Sequence, residues 1–466
     1  MILNIIPLKI LQVLFYLFPI TFIFGNFLIN IFILLISLSG IIFYKSKIFK
    51  NNDKFITLLF ILFFLLILIS SYINHYILKE NPDVLKSIFY LRYFIFLIVV
   101  RTVILYRHIN LRKFFIFILF IVFFIAIDIF IQFIFGKNII GFESIFLKAE
   151  FYTGFFKEEL IAGGYIMMFS TLSFFSIPLL FKNQSKIILL IIFTCLALII
   201  FASLFLAGNR MPTILFTIFL ITAAILYKQQ RKKLYLIFTT IISIVLICLV
   251  ALKFDLIKNR YISFYGGLPN PFTIFQELNK DYPELEKYKN TGVQFYAIEE
   301  VKKNYPNNLP PKYNILPFHT GHRIIFITSI DLFLEKPFIG RGIKSFRNYC
   351  EEKIHLPNRV CESHPHNFFL DLLNDVGILG LLIILIPIIK LFYSNYSEYL
   401  SKNKKQFSDW IYFTICLVIF IQFFPIKSSG SFFSTYNSAF TFLILGISLG
   451  VHEAKNSQIF SKEIIN

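Results

Sequence analysis

His366 stands at the head of the run SHPHNFFLDLLNDVGILGLLIIL, Ser363 to Leu385, where a His-Pro-His cluster meets a strongly apolar stretch just after the long polar loop. Imidazole is the common side chain whose charge changes easily near neutral pH, so at such a mouth it suits proton transfer. Arg210 lies in the short turn AGNRMP and Arg323 in TGHRII, each beside an apolar run. A guanidinium held at lipid headgroup depth, with its donors in a fixed fork, suits a phosphate or diphosphate. Each residue also has a plain structural role open to it. Arg210 could snorkel from a helix end, Arg323 could pair with Asp331 or Glu335, and His366 with His364 could anchor an interface.

Reading forward from His366 gives His366-Asn367, nine residues, Gly377, two residues and Gly380. At 100° per residue Gly377 falls about 20° from His366 around a helix, and Gly380 about 40° on the other side. If the helix begins near the histidine, one narrow stripe carries an imidazole at its outer end and two glycines deeper down. Such a stripe lets a neighbouring helix or a lipid chain come close.

Further polar groups fall inside apolar runs: Arg92 and Arg101 in one, Asp128 and Gln132 in another. Charges at that depth are expensive and face a bundle interior or each other. Arg92 could add a third cation to a phosphate site, or pair with Asp128. Cys350, His355, Cys361, Glu362, His364 and His366 fall within 17 residues, and all are types that bind zinc, but their spacings match no familiar ligand pattern. In an oxidising compartment Cys350 and Cys361 read better as a disulfide bracing the histidine segment. Gly340-Arg341-Gly342 lacks the strand–helix context and full spacing of a nucleotide loop.

The elements that must position these groups are membrane helices. Of 466 residues 57% are hydrophobic and 15% charged, with mean hydropathy +0.74. A soluble domain averages about 25% charged. The net charge of +19 suggests a nucleic-acid partner, yet its lysines and arginines sit in short clusters between apolar runs, the positive-inside pattern, so no nucleic acid is expected. Twelve windows have spanning length: 8–25, 27–44, 55–75, 88–106, 114–136, 161–181, 187–206, 211–227, 234–252, 367–393, 409–426 and 434–451. The first reads as a spanning helix rather than a removed signal peptide. Basic clusters at alternate loops put both termini in the cytoplasm and the 207–210 turn, the 253–366 segment and the 427–433 turn outside. The expected organisation is nine spans over 1–252, an outward loop over 253–366, three spans over 367–451 and a tail over 452–466. Inside the loop, helices are expected near 292–303 and over 323–337, the latter amphipathic, lying on the membrane or capping the bundle.

These residues carry a likeness. The chain resembles the O-antigen ligase and O-antigen polymerase superfamily, membrane glycosyltransferases that move glycans from undecaprenyl diphosphate. His366-Asn367, nine residues, then Gly377 and Gly380 fit the family pattern without a gap; Arg210 and Arg323 resemble its two outward arginines, and Pro337 to Phe346 its glycine-containing turn. The likeness is best between about 190 and 390, and Gly154 to Tyr165 is only a loose match. It implies an all-α, GT-C-like polytopic bundle of about twelve helices in a bacterial inner membrane, with no metal, nucleotide or other cofactor. It implies His366 as general base and Arg210 and Arg323 on the diphosphate, with Arg92, His364, Asn367, Gly377 and Gly380 as further substrate contacts. The partners implied are membrane lipids, a glycan donor on undecaprenyl diphosphate, and as acceptor either lipid A–core (a ligase) or another lipid-linked repeat (a polymerase). The fullness of the histidine motif and the long loop before it favour the ligase. A transporter or flippase would instead want broken helices near mid-membrane and paired halves.

Overall fold

The computed structural model describes residues 2–50, 53–79, 82–144, 151–157, 159–180, 185–227, 240, 274–275, 278, 283–288, 321–356, 359–401 and 407–456. In hydrocarbon every backbone N–H and C=O must find a partner within the chain, so long apolar runs become helices. They form α1 (Ile2–Thr21), α2 (Asn26–Tyr44), α3 (Lys54–Tyr72), α4 (Val84–Tyr90), α5 (Arg92–Leu105), α6 (Leu111–Phe135), α7 (Ala162–Ser173), α8 (Lys186–Leu206) and α9 (Arg210–Leu226). After the loop come α10 (Gly321–Glu335), α11 (Phe368–Ser401), α12 (Phe407–Gln422) and α13 (Thr435–Asn456). Among the described residues there is no sheet, only a lone bridge between Lys137 and Glu143.

Eleven of the twelve apolar windows coincide with helices. The ninth, 234–252, lies outside the described residues, as does the helix expected near 292–303. Among the described residues six helical stretches are long and apolar enough to cross a bilayer: 26–49, 54–77, 84–105, 111–135, 187–206 and 368–401. The protein is an all-α, multi-pass membrane protein. Local chemistry sets the breaks between helices. Gly25, at φ 91°, ends the link from α1 to α2, while the side chains of Asp53, Asp83, Asn110 and Ser185 cap α3, α4, α6 and α8.

α5 and α13 lie at the centre. A Cβ on Gly446 would stand 2.8 Å from Val100, and one on Gly450 2.6 Å from the Arg101 carbonyl, so these small residues let the two helix axes approach. The pair is also locked by charge. The fully buried Arg101 donates from Nε to Glu453 Oε2 at 2.8 Å and from a terminal nitrogen to the same oxygen at 2.5 Å. It also donates to the carbonyls of Ile48 and Lys50. At the same end Asp53 accepts from Lys390 at 2.8 Å and lies 3.2 Å from His452 Nε2, tying α3 to α11 and α13. Leu34, Leu38, Ile42, Leu58 and Ile69 lie exposed around the bundle, where lipid would cover them.

At the opposite end α10 packs along α11. Ile324 to Ser329 are all buried, so a helix forms over the stretch expected at 323–337, but its first half is covered by protein on every face rather than on one apolar side. Apolar side chains of the helix join Phe346, Tyr349, Cys350 and Val360 in a small separate core, closed by a Cys350–Cys361 disulfide with Cα atoms 4.9 Å apart.

The Arg101–Glu453 pair supplies a direct test. Glu453→Gln leaves a buried guanidinium without its counter-charge and should cost about 3–5 kcal/mol. Thermal unfolding of the purified protein in detergent should show a lowered midpoint, largely recovered in Arg101→Met/Glu453→Met. An unchanged midpoint in the single variant contradicts the assignment.

Candidate functional site

α11 begins at Phe368, two residues past the histidine. His366 has φ 55°, a left-handed conformation outside the helix, and Asn367 caps α11 by accepting from the N–H groups of Phe369 (2.9 Å) and Leu370 (3.2 Å). A left-handed non-glycine residue costs of order ~1–3 kcal/mol and persists only where its surroundings over-determine it. They do so here. The His366 carbonyl accepts from Ser429 N–H at 2.8 Å, and Asn367 Nδ2 donates to the carbonyls of Pro425 (2.7 Å) and Lys427 (3.2 Å). The α12–α13 turn thus clamps the histidine segment from one side. The His364 and His366 rings lie with centroids 4.0 Å apart, tilted by 44°, and His364 Nδ1 lies 2.8 Å from Ser363 Oγ.

The 336–345 turn holds α11 from the other side, at a true break. Gly377 has φ 66° and ψ −172° inside α11, so the usual bonds from the 374 and 375 carbonyls to the N–H groups of 378 and 379 are replaced. Ile378 and Leu379 donate to the carbonyls of Pro337 (2.8 Å) and Phe338 (3.2 Å), while Asn374 and Asp375 carbonyls accept from Arg341 (2.8 Å) and Gly342 (2.9 Å). A Cβ on Gly377 would collide with the Phe338 carbonyl. The close approach this glycine permits is therefore to backbone, and no lipid chain fits there. Gly380 meets Val376 of its own helix and Leu66 of α3. α3 and the residues just past its end complete the cradle: Ser70 donates to the Ile339 carbonyl at 2.7 Å and Asn74 to the Gly340 carbonyl at 3.0 Å.

Two carboxylates inside this frame carry no role in the sequence reading. Asp371 accepts from Ser431 Oγ (2.6 Å) and Phe432 N–H (2.8 Å). Asp375 accepts from the N–H groups of Lys344 (2.5 Å) and Ser345 (3.0 Å) and from Ser345 Oγ (2.8 Å). Both are buried. Their signal was available, since two acids four residues apart in an apolar span are rare without partners. Lys427 was also missed. Buried in the α12–α13 turn, its Nζ donates to Gln422 Oε1 at 3.0 Å and stands 4.6 Å over the Phe368 ring. Burial pushes its amine down to about 7.

Arg210 opens α9, half-buried. Its turn is stapled to the preceding segment by Asn209, which donates to the Leu160 carbonyl at 2.9 Å and accepts from Gly163 N–H at 3.1 Å. From there Tyr165 reaches the Pro19 carbonyl (3.2 Å), and the Phe22 ring meets that of Tyr436 at 4.9 Å. Tyr436 follows the turn that holds Asp371 and His366, so Arg210 and His366 belong to one end of the bundle. Arg323 lies in the first turn of α10; its side chain is outside what the structure describes. The ion pairs open to it are used elsewhere: Asp331 by Arg359 (2.8 Å), and Glu335 by Arg341 and Lys353. Arg92 does not pair with Asp128. It donates to the Phe89 carbonyl (2.7 Å) and Tyr93 hydroxyl (3.0 Å), while Asp128 accepts from Ile139 N–H (2.9 Å). Cys350 and Cys361, being bonded to each other, leave the set of possible zinc ligands, and among the described residues no group of three or more His, Cys, Asp or Glu is placed to hold a metal.

A family model described as O-Antigen ligase matches residues 195–385. That span, under half of the chain, runs from within α8 to just past the break in α11. It takes in Arg210, Arg323, the Pro337–Phe346 turn, His366 and both glycines. The chain is similar to this family there, and the match supports a relationship to the wider O-antigen ligase and polymerase superfamily. No curated protein matches the chain.

Gly377→Ala places a methyl group against the Phe338 carbonyl in a backbone region nearly closed to alanine, and should cost at least about 1–3 kcal/mol. A melting curve unmoved by the change contradicts the break. Lys427 gives a pH signature. Between about pH 7 and its ordinary 10.5 the unfolded chain binds more protons than the folded one, so this group makes stability rise across that window. Lys427→Met should flatten the rise in melting temperature from pH 7 to 10; an identical slope shows that the amine is not desolvated.

Proposed function

We propose that this protein is an O-antigen ligase-like glycosyltransferase with about twelve spans, acting on the outer face of a bacterial inner membrane. It transfers a glycan from undecaprenyl diphosphate to a sugar hydroxyl of lipid A–core. The observation that carries this reading is the family match over 195–385, which includes Arg210, Arg323 and His366 in one stretch. The shared end of the 207–210 turn and the histidine segment supports it, through the contacts that link Asn209, Tyr165, Tyr436 and Asp371.

In the reaction the bond between the sugar anomeric carbon and the phosphate oxygen breaks, and its electron pair leaves with undecaprenyl diphosphate. Arg210 and Arg323 hold that diphosphate and offset the charge developing on it. His366 accepts the proton of the acceptor hydroxyl as the new glycosidic bond forms. A diphosphate is already an activated leaving group, so no nucleotide is consumed. The clamps on the Ser429 N–H and Asn367 sides hold the histidine segment against the head of α11, which keeps the imidazole from drifting with substrate. His364 orients its neighbour by ring contact. Arg92 lies at the same end as a further cation, although its fork is engaged with Phe89 and Tyr93.

His366→Ala should abolish lipid A-linked polymer in a deletion strain while membrane insertion stays intact. Arg210→Lys and Arg323→Lys keep the charge but lose the fork, and each should reduce product at least about tenfold, as for loss of a transition-state contact of more than 1.4 kcal/mol. Normal polymer in His366→Ala refutes the base role. Accumulation of single repeats on lipid A in the deletion strain identifies the polymerase instead.

A further inference from the structure

A cavity of about 450 Å³ opens beside the 336–345 turn, on the α3–α4 flank of α11. His75 and Asp83 line it from the link between α3 and α4, Lys86 from the first turn of α4, and Lys344 and Arg347 from the turn and the short helix after it. Among the described residues three cations thus face one carboxylate, Asp83, which already pairs with Lys86. The cations act on one another: beyond burial, Arg347 and then Lys86 push the Lys344 amine below its ordinary value, ahead of the opposing pull of Asp371 and Asp375. Those two carboxylates lie behind the wall and are spent on Ser431, Phe432, Lys344 N–H and Ser345.

An excess of positive charge confined this way is costly unless an anion enters. Lys344 is also held at φ 57°, an unfavourable conformation maintained by the Asp375 bond to its N–H. The surroundings point to where the anion comes from. Tyr76, Ile77, Leu85 and Ile88 beside the cavity are 60%, 63%, 61% and 50% exposed, an apolar flank suited to acyl chains. Arg210 and His366 are held by other elements, α9 and the α12–α13 turn, and neither lines this cavity.

We propose that this cavity binds the phosphate group of a lipid headgroup, with the lipid tail against the apolar flank of the α3–α4 link. The described lining uses neither Arg210 nor His366, and the proposal does not depend on the glycosyltransferase reading. The phosphate oxygens accept from Lys344, Arg347 and Lys86, a charge-assisted set. The same oxygens on a soluble diphosphate would satisfy the cations, but would leave the flank uncovered.

Native mass spectrometry of the purified full chain in detergent tests this, titrating dioctanoyl phosphatidic acid, dioctanoyl phosphatidylcholine and inorganic pyrophosphate. Phosphatidic acid is expected to bind saturably and more tightly than the other two. Arg347 is exposed, so Arg347→Gln should fold normally; with Lys344→Gln it should weaken phosphatidic acid binding at least about tenfold, the loss of one charge-assisted bond of 1.4 kcal/mol or more. Lys137→Gln, a surface lysine elsewhere, should leave binding unchanged. Unaltered affinity in Arg347→Gln/Lys344→Gln, or equal binding of phosphatidylcholine, overturns the proposal. Pyrophosphate binding as tightly as phosphatidic acid overturns the lipid source.

Discussion

A membrane helix that loses two rungs of its hydrogen-bond ladder must recover them from elsewhere in the protein, because lipid offers no donors or acceptors. At Gly377 α11 does this with a six-residue piece of backbone, Pro337 to Gly342, whose carbonyls and N–H groups take the places of the missing helical partners. The rest of this end of the molecule follows from that exchange. The inserted turn fixes α10 above it, Ser70 of α3 and Asn74 just past its end lock it from the side, and Asp375 gathers its last N–H groups. The first turns of α11 are thereby held as a short, separate helical head. On it stand Asn367 and Asp371, both of which reach the α12–α13 turn. His366 precedes this head by two residues, so its position is inherited from a backbone exchange three helical turns away.

The helices themselves were legible because spanning runs announce themselves by length, and the caps at Asp53, Asp83 and Asn110 stand where apolar runs begin. The Cys350–Cys361 bond was legible from its short loop. What misled was the assumption that α11 is continuous from His366. That assumption turned Gly377 and Gly380 into one stripe, whereas the positive φ of Gly377 and the polar Asn374-Asp375 before it mark a break. A sequence does not reveal that Pro337–Gly342 will supply the partners, since the two segments lie more than thirty residues apart. Asp371, Asp375 and Lys427 were passed over because their neighbours, Ser431, Ser345 and Gln422, are ordinary polar residues until the fold brings them close. Of the two readings open to Arg92, the pairing with Asp128 does not form, because the nearest carbonyl and hydroxyl, of Phe89 and Tyr93, satisfy its donors.

The two ends of the bundle use charge differently. Near Arg101 and Glu453 opposite charges close on each other, and Asp53 adds Lys390 and His452, so that end is neutralised and rigid. At the α11 head the carboxylates are satisfied mostly by N–H and hydroxyl groups. The Lys344 amine there is left with competing compensation, two neighbouring cations against two carboxylates. A surface built this way favours anions, which fits a chemistry whose leaving group is a lipid diphosphate.

Transfer by the purified protein alone is the most direct measurement. Reconstituted in vesicles with a synthetic undecaprenyl-diphosphate glycan and lipid A–core, without nucleotide, the wild-type protein should yield glycosylated lipid A and free undecaprenyl diphosphate in equal amounts. Movement of the donor across the bilayer with no new glycosidic bond would contradict the enzyme reading and mark the protein as a carrier.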